Sequence, residues 1–394
     1  MKGWAGRTVE FLGFKRNLVL LLCAIVLIGA GEETWVRFLP KYLEVLGASV
    51  WVIGLFDALK TALGAVYAYP GGVMADRWGH RRALVVFTLI SLAGYAIVLL
   101  APSWMGVIAG MFLFLAWSNL SLPATFSMVG ANLPAHKHAM GIGVQSLIKR
   151  IPILIGPVAG GMLLDAFGVI RGVRIGVLIS LGLGASALWV QRQFREEEAF
   201  GQTEGPNLLA AVRSFSPGLR RLLLSDILIR FCERIPFAWV VLYAFDEVGA
   251  TASQFGLLIA IEMATAIACY IPASSLADRY GKEPFVVATF IFFTLFPLAL
   301  WWADTFAALI VAFVIRGLKE FGEPARKALL VSLAPAGTRA QTIGAYYLLR
   351  DLAATSGAFV GAGLWKFGPG VNFAGAGIIG ALGTLLYWPA PRKK

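Results

Sequence analysis

The chain has 394 residues, is 58% hydrophobic, carries charge on only 14% of positions and has a formal net charge of +12. Soluble domains carry charge on about a quarter of their residues, so a water-soluble globule is excluded, and the apolar content excludes a disordered chain. Cys23, Cys232 and Cys269 all lie in apolar stretches and supply neither a disulfide framework nor a spaced metal site.

Apolar runs of about twenty residues, long enough to cross hydrocarbon as helices, recur along the sequence. They are predicted near 17–39, 50–74, 83–101, 105–133, 140–166 and 171–190, then near 219–245, 253–276, 284–303, 305–334, 341–366 and 371–389. Barrel strands would alternate and be about half as long. The first run is too long for a cleaved signal, lacks a small-residue cleavage site and continues into Glu32 and Glu33. The expected fold class is therefore an all-α membrane protein of about twelve transmembrane helices. A polar segment, 191–218, holds Arg192, Arg195, Glu196, Glu197, Glu198 and Arg213. It divides the chain into an N-terminal six-helix bundle (1–190), a cytoplasmic linker (191–218) and a C-terminal six-helix bundle (219–394).

Basic residues near the helix ends set the orientation. Lys15, Arg16, Arg77, Arg81, Arg82, Lys137, Arg220, Arg221, Arg279, Lys282, Arg339, Arg392, Lys393 and Lys394 fall on one side when the spans alternate. The other side offers Lys41, Glu44, Asp246, Glu247 and Asp304, with Arg171, Arg174 and Lys366 as exceptions. Both termini and the linker are expected in the cytoplasm, with the protein in the inner (plasma) membrane. That orientation explains the positive charge and leaves nothing to support a nucleic-acid partner.

The two halves repeat. Gly72-Val-Met-Ala-Asp76-Arg77-Trp-Gly79-His-Arg81-Arg82 is echoed by Ser274-Ser-Leu-Ala-Asp278-Arg279-Tyr-Gly281-Lys282, with Asp278 lying 202 positions after Asp76. Gly47-Ala-Ser and Gly249-Ala-Thr keep the same offset, and Pro123 and Pro134 find counterparts in Pro324 and Pro335. Parallel repeats of this kind build a site near the bilayer midplane in one large class of transporters.

The Gly72-x-x-x-Asp76-Arg77-x-Gly79-x-Arg81-Arg82 loop resembles the signature of the major facilitator superfamily, and the resemblance extends over the whole chain. It implies two six-helix bundles around a central cavity and a secondary active transporter rather than an enzyme. In that loop, Gly79 suits a tight turn, and Asp76 suits a charge-assisted latch on the cytoplasmic gate. Gly156-Pro157-Val-Ala-Gly160-Gly161 is similar to the end of a motif in antiporter branches of the superfamily, with Pro152 where that motif has glycine. The resemblance also implies that spans one, four, seven and ten line the cavity.

Charges within the spans are costly and mark the transport pathway. Span ten carries Arg316, Lys319, Glu320, Glu323, Arg326 and Lys327, spaced so that Arg316–Glu320, Lys319–Glu323 and Glu323–Lys327 are i,i+4 pairs. The remaining charges include Asp57, Lys60, Lys149, Arg150, Arg230, Glu233, Arg234, Glu262, Arg350 and Asp351. Bases outnumber acids in the expected lining, which favours an anionic or zwitterionic organic solute. Glu32, Glu33, Glu233, Glu320 and Asp351 are the proton-coupling candidates, with Glu33 and Glu320 slightly ahead. Lys149, Arg350, Arg316, Asn119 and Trp35 are the candidates for holding solute. Lys149 and Arg350 occupy repeat-related positions and are expected to share one role, with an internal brace of ion pairs as the alternative.

No phosphate-binding glycine loop is present, so nucleotide hydrolysis is not expected. His136 and His138, two residues apart, do not share a helix face, and no metal or cofactor is expected. The expected partners are a small-molecule solute, protons or another coupling ion, and lipid, around a monomer. Proton-coupled export is the leading reading. Proton-coupled uptake, a lipid flippase and a non-transporting receptor of the same fold are the alternatives.

Overall fold

A computed structural model describes residues 16–121, 125, 138–194, 212–213, 215–334 and 339–388, without the side chains at 68, 69, 72, 76, 138–147, 271, 274, 275, 278 and 339–341. Expectations resting on the side chains of Gly72 and Asp76, on Pro123, Pro134, Pro335 and His136, and on most of the linker lie outside the described residues.

Every regular element described is helical. α1 (Arg16–Glu33) leads through a short 3₁₀ turn at Val36–Phe38 into α2 (Leu39–Val45), and together they form the first span. α3 (Val50–Trp78), α4 (His80–Leu100) and α5 (Trp104–Phe114) follow. α6 (His138–Gln191) is two helices in sequence that reverse at Gly168. In the second half come α7 (Pro217–Phe237), α8 (Trp239–Leu242) with a π turn at Tyr243–Glu247, α9 (Ala252–Tyr280) and α10 (Glu283–Trp301). α11 (Phe306–Leu318), α12 (Glu323–Leu333), α13 (Arg339–Trp365) and α14 (Pro369–Tyr387) complete the chain. Among the described residues, eight stretches are long and apolar enough to cross a membrane. The helices rich in charge, α7 and α13, fall short of that test on composition, not on length.

The repeat is visible in the backbone. Six described residues have positive φ, all of them glycine, and they fall into three pairs. Gly47 and Gly249, Gly79 and Gly281, and Gly168 and Gly368 have φ of 81° and 73°, 78° and 93°, and 77° and 109°. Each pair turns the chain at the same place in its half, where a side chain would be strained. N-caps repeat as well: Ser103 accepts from the Gly106 amide and Thr305 from the Ala308 amide.

Among the described residues, four spans are interrupted. The first loses its helix between Glu33 and Val36, the fourth at Leu115, the seventh at Ala238 and the tenth between Leu318 and Glu323. At two of these breaks a hydroxyl from a neighbouring helix satisfies the freed backbone. Ser91 Oγ accepts from the Trp117 amide at 2.8 Å, and Thr289 Oγ1 accepts from the Gly322 amide at 2.6 Å. Irregular backbone at membrane depth survives only with such partners.

The chain divides into two compact units, one formed by residues 1–36 and 63–203 and the other by 37–62 and 204–394. The core of the first unit gathers Leu18, Leu22, Ile25, Phe87 and Trp117; that of the second gathers Leu219, Leu222, Phe290, Tyr346 and Tyr387. Residues 37–62 join the second unit for visible reasons. Phe38 packs edge-on against Phe255, Gly54 lies against Ala362 of α13, and Lys41 is bonded to Asp246. Large apolar side chains such as Leu100, Met162, Trp189 and Leu385 remain exposed, as a lipid-facing surface requires.

The glycine-rich stretch of α6 packs against the end of α1. A Cβ at Gly156 would stand 2.6 Å from Glu33 Cβ, and one at Gly160 would stand 1.8 Å from the Thr34 carbonyl oxygen. The departure at Pro152 is matched across the contact, because a Cβ on Gly29 would come within 3.1 Å of that proline ring. The space the family motif gains with a glycine on this helix is supplied here by a glycine on its partner. Gly160→Leu should therefore lower stability by about 1–3 kcal/mol. Gly182→Leu, where a Cβ would meet nothing within 4 Å, should be nearly neutral. Thermal melting of the detergent-solubilised variants checks both.

Candidate functional site

In the first unit, the break in span one opens onto a cavity of about 80 Å³. Ile25, Trp117, Pro152 and Ile153 supply its apolar wall; Glu32, Glu33, Lys149, Ser118, Ser121 and Thr125 supply its polar one. The volume suits a few waters or one polar group of a solute. Glu32 is held by two neutral donors: Tyr95 Oη donates to Oε1 at 2.6 Å and Ser118 Oγ donates to Oε2 at 2.7 Å. Glu33 lines the same cavity, and Lys149, on α6, keeps an exposed side chain beside it. Three of the candidates named from sequence thus meet in one place.

Two others do not. Trp35 is fully buried, its Nε1 donating to Ser180 Oγ at 2.8 Å and its ring packed edge-on by Tyr95 and Phe114. It belongs to the core behind the break and does not line the cavity. Asn119 donates to the Leu115 carbonyl one turn back, at 3.1 Å, and so covers the break in span four.

The second unit is organised by one chain of charges. Arg316 reaches Glu262 at 3.2 Å, Glu262 reaches Lys319 at 3.4 Å, and Lys319 reaches Glu233 at 2.9 Å. Glu233 holds Arg230 at 2.8 Å, Arg230 holds Glu323 at 3.0 Å, and Glu323 holds Arg326 at 2.8 Å. Arg326 binds Asp226 at 2.5 Å, Asp226 faces Arg350 at 3.6 Å, and Arg350 binds Asp351 at 2.7 Å. Ten side chains on spans seven, eight, ten and eleven alternate in sign at every step, five acids against five bases.

Sequence spacing explains how the chain forms. Asp226, Arg230 and Glu233 sit at i, i+4 and i+7 on α7, one face of one helix. Arg316, Lys319, Glu323 and Arg326 repeat the same stripe along span ten. Beside the Glu323–Arg326 pair within α12, the charges of span ten reach other helices: Arg316 and Lys319 to Glu262, Lys319 to Glu233, Glu323 to Arg230 and Arg326 to Asp226. The helix is broken between Leu318 and Glu323, so Lys319 and Glu323 are no longer one regular turn apart. Glu320 sits half-buried in that break.

This arrangement alters the electrostatic expectation. Within the chain of charges bases do not outnumber acids, because every base there is matched by an acid. Arg316 is buried and stacks over Phe296 and Phe313 as well as pairing with Glu262. Arg350 lies over Tyr347 between two carboxylates. Both are bound into the brace, whereas Lys149 faces a cavity, so the two repeat-related bases have different surroundings. Asp226 escaped the sequence reading, although an acid within Leu222-Leu-Leu-Ser-Asp226-Ile-Leu-Ile was a visible signal. It is 1% exposed and takes a further bond from Tyr346 Oη at 2.9 Å. The donors of Glu32, Tyr95 and Ser118, were missed too, since hydroxyls carry no sequence mark of their partner.

Of the gate motif, Gly79 makes the positive-φ turn between α3 and α4, Arg77 is exposed at the end of α3, and Arg81 and Arg82 open α4. In the glycine-rich motif of α6, Gly156, Pro157, Gly160 and Gly161 are all buried.

Removing one member of a buried charge chain strands its partner. Asp226→Asn should cost about 3–5 kcal/mol. Asp351→Asn should cost markedly less, because the Asp351 side chain ends the chain and is 34% exposed. Melting temperatures and membrane yields of the two variants measure the difference.

Comparison with known proteins matches the family model described as Major Facilitator Superfamily over residues 21–245 and 222–394. The multidrug resistance protein MdtG of Enterobacter lignolyticus is 24% identical over 369 residues, spanning 89% of this chain and 86% of that protein. The multi-drug resistance efflux pump PmrA homolog of Lactococcus lactis is 25% identical over 295 residues, or 71% of each chain. Among solved structures, a POT family transporter in complex with 5-aminolevulinic acid superposes with a TM-score of 0.78 at 15% identity, over 94% of both chains. The nucleoside transporter NupG gives 0.75 at 13% identity over 94% of this chain and 97% of that one. These likenesses establish the fold.

Proposed function

The chain belongs to the Major Facilitator Superfamily, and from that premise we propose that this secondary transporter exports a small zwitterionic solute in exchange for protons. The observation that carries the reading is Glu32. It is a carboxyl on the cavity wall at a break in span one, and among the described residues it is bonded by two hydroxyls and by no base. A proton arriving there breaks no ion pair. Glu233 and Asp351 are bonded to bases, and protonating either would strand a cation in the brace. Glu32 therefore moves ahead of Glu33 and Glu320 as the coupling group.

The solute class follows from the lining. Two carboxylates, one ammonium and an indole suit a molecule carrying both charges and an apolar body. Lys149 would hold its acid group, and a carboxylate its amine. When Glu32 takes a proton the cavity loses attraction for the amine, which couples proton entry to solute release. Export is supported by the glycine-rich motif on α6 and by the names of the relatives, which are multidrug resistance and efflux proteins. Those names also favour a second reading, a lipophilic cation drawn to Glu32, Glu33 and Trp117. The basic residues near the helix ends support both termini in the cytoplasm, and the signature-like loop from Gly72 to Arg82 supports Asp76 as the latch of the cytoplasmic gate.

Proteoliposomes loaded with solute libraries and given an inward or outward pH gradient test the proposal. Transport should follow the pH gradient in the wild type, and Glu32→Gln should still bind solute yet lose its response to the gradient. Transport driven by a sodium gradient alone would overturn the proton assignment. Lys149→Gln should weaken affinity for zwitterions by about tenfold, the loss of one charge-assisted bond, and leave lipophilic cations unaffected. The reverse pattern would select the second reading. Asp76→Asn should slow the maximal rate at normal expression.

A further inference from the structure

Among the described residues of the second unit, the brace leaves one buried carboxyl outside it. Asp57 lies on α3 and is 2% exposed. Its Oδ1 stands 3.8 Å from Arg234 Nη1, close enough to attract but too far to share a hydrogen bond. Its Oδ2 accepts no hydrogen bond among the described residues. Seven of the nine links in the brace are at 3.2 Å or less. Asp57 is the buried acid of this unit most weakly tied to its base.

Its position gives that weakness a consequence. Asp57 belongs to residues 37–62, the segment that packs with the second unit. Among the described residues, two ion pairs fasten that segment to span seven and its end, beside the ring contact of Phe38 with Phe245 and Lys60 over Phe237. Lys41 with Asp246 is the first, and it is half in solvent: the Asp246 side chain is 43% exposed. Exposed pairs of this kind hold little. Asp57 with Arg234 is the second, and it is buried on the carboxylate side. The groups facing Asp57 are Arg234 and Glu233 from α7 and Lys60 one turn along its own helix. α13 approaches α3 with Ala358 and Ala362, which carry no charge. Lys60, Arg234 and Arg316 all lie within 5.8 Å of the Phe237 ring centre, so the cations have an aromatic face to rest on when the acid is neutral.

We propose that Asp57 is a second proton-carrying carboxyl, and that its protonation at Oδ2 loosens residues 37–62 against span seven. The proton adds to the carboxylate and forms one O–H bond, and no other covalent bond changes. The Asp57–Arg234 attraction is lost, while Arg234 keeps Glu233 as its neighbour and Phe237 beneath it. Deprotonated Asp57 tightens the segment onto span seven; protonated Asp57 leaves it the weaker contacts of Lys60, Phe38 and Lys41, which permit a wider separation. Its meaning for transport rests on the proton-coupled reading above, but the movement itself does not require a solute.

The test measures the movement directly. Spin labels at Val45→Cys and Glu247→Cys, with Cys23, Cys232 and Cys269 replaced, report the distance between the segment and the end of span seven in lipid nanodiscs. The wild-type background should show a short distance at alkaline pH and lose it at mildly acidic pH. Asp57→Asn, fixed in the neutral form, should show the longer distance at both. Arg234→Gln removes the same pair from the other side and guards against a variant that fails to fold; it should also lose the pH response. Glu32→Gln should keep the wild-type shift. A shift that survives in both Asp57→Asn and Arg234→Gln, or no shift in the wild type, overturns the proposal. A wild-type shift abolished by both variants supports it even where solute transport proves insensitive to a pH gradient, a result that would remove the proton-coupled reading alone.

Discussion

The structure depends on one constraint: a charge placed in hydrocarbon has to find an opposite charge. Removing an ion from water costs several kcal/mol even after relaxation, and attraction offsets that cost only when geometry is close and lone pairs are occupied. The second unit meets the constraint by alternation. From Arg316 to Asp351 no two neighbours in the chain of charges share a sign, and six of its nine bonds join one span to another. Because an isolated member is so costly, the spans that carry the chain are expected to move together or not at all. The brace defines a rigid body.

The breaks in spans one and ten serve the same end. A continuous helix points its side chains outward at fixed angles, and charges on it meet whatever lies beside them. An interrupted helix frees backbone groups and redirects side chains. At span ten the interruption puts Lys319 beside Glu233 and Glu262 at once. At span one it presents Glu32 to Tyr95 and Ser118 and Glu33 to the cavity. Interrupted hydrophobic segments at corresponding places in two repeats are a recognised pointer to a transporter's site. Here the irregular backbone and the polar side chains fall together.

Much of this was legible in the sequence because it rests on period and composition. Span positions, the repeat and the turning glycines at 79 and 281 all follow from residue types at fixed offsets. What could not be read was the partner of each charge. Spacing along span ten suggested bonds within the helix, since i,i+4 neighbours are close on any regular helix; the break takes Lys319 off the turn of Glu323, and bonds to other helices stand beside the Glu323–Arg326 pair that α12 keeps. The excess of basic residues suggested an electropositive site, because a count cannot tell a base inside a brace from one facing a cavity. Arg316 and Arg350 are the first kind and Lys149 is the second. Trp35 suggested a binding surface and is instead buried against Tyr95 and Phe114, since nothing in a sequence says which face of a broken span looks inward. Asp226, the acid that closes the brace with Arg326, was passed over as one polar residue in a leucine-rich stretch.

The brace and the cavity at Glu32 handle charge in opposite ways. In the brace, acids are matched to bases and neutralised by geometry, so a change of protonation there would undo packing across four helices. In the cavity, Glu32 is held by hydroxyls, which can turn to donate to a carboxylate or accept from a carboxylic acid. On the proton-coupled reading, that adaptability would let Glu32 change charge without loss of structure. A transporter needs both properties. It needs a body stiff enough to move as one piece, and a group free enough to change state while that body holds. On the proton-coupled reading, alternation of sign supplies the first and neutral hydrogen bonding the second.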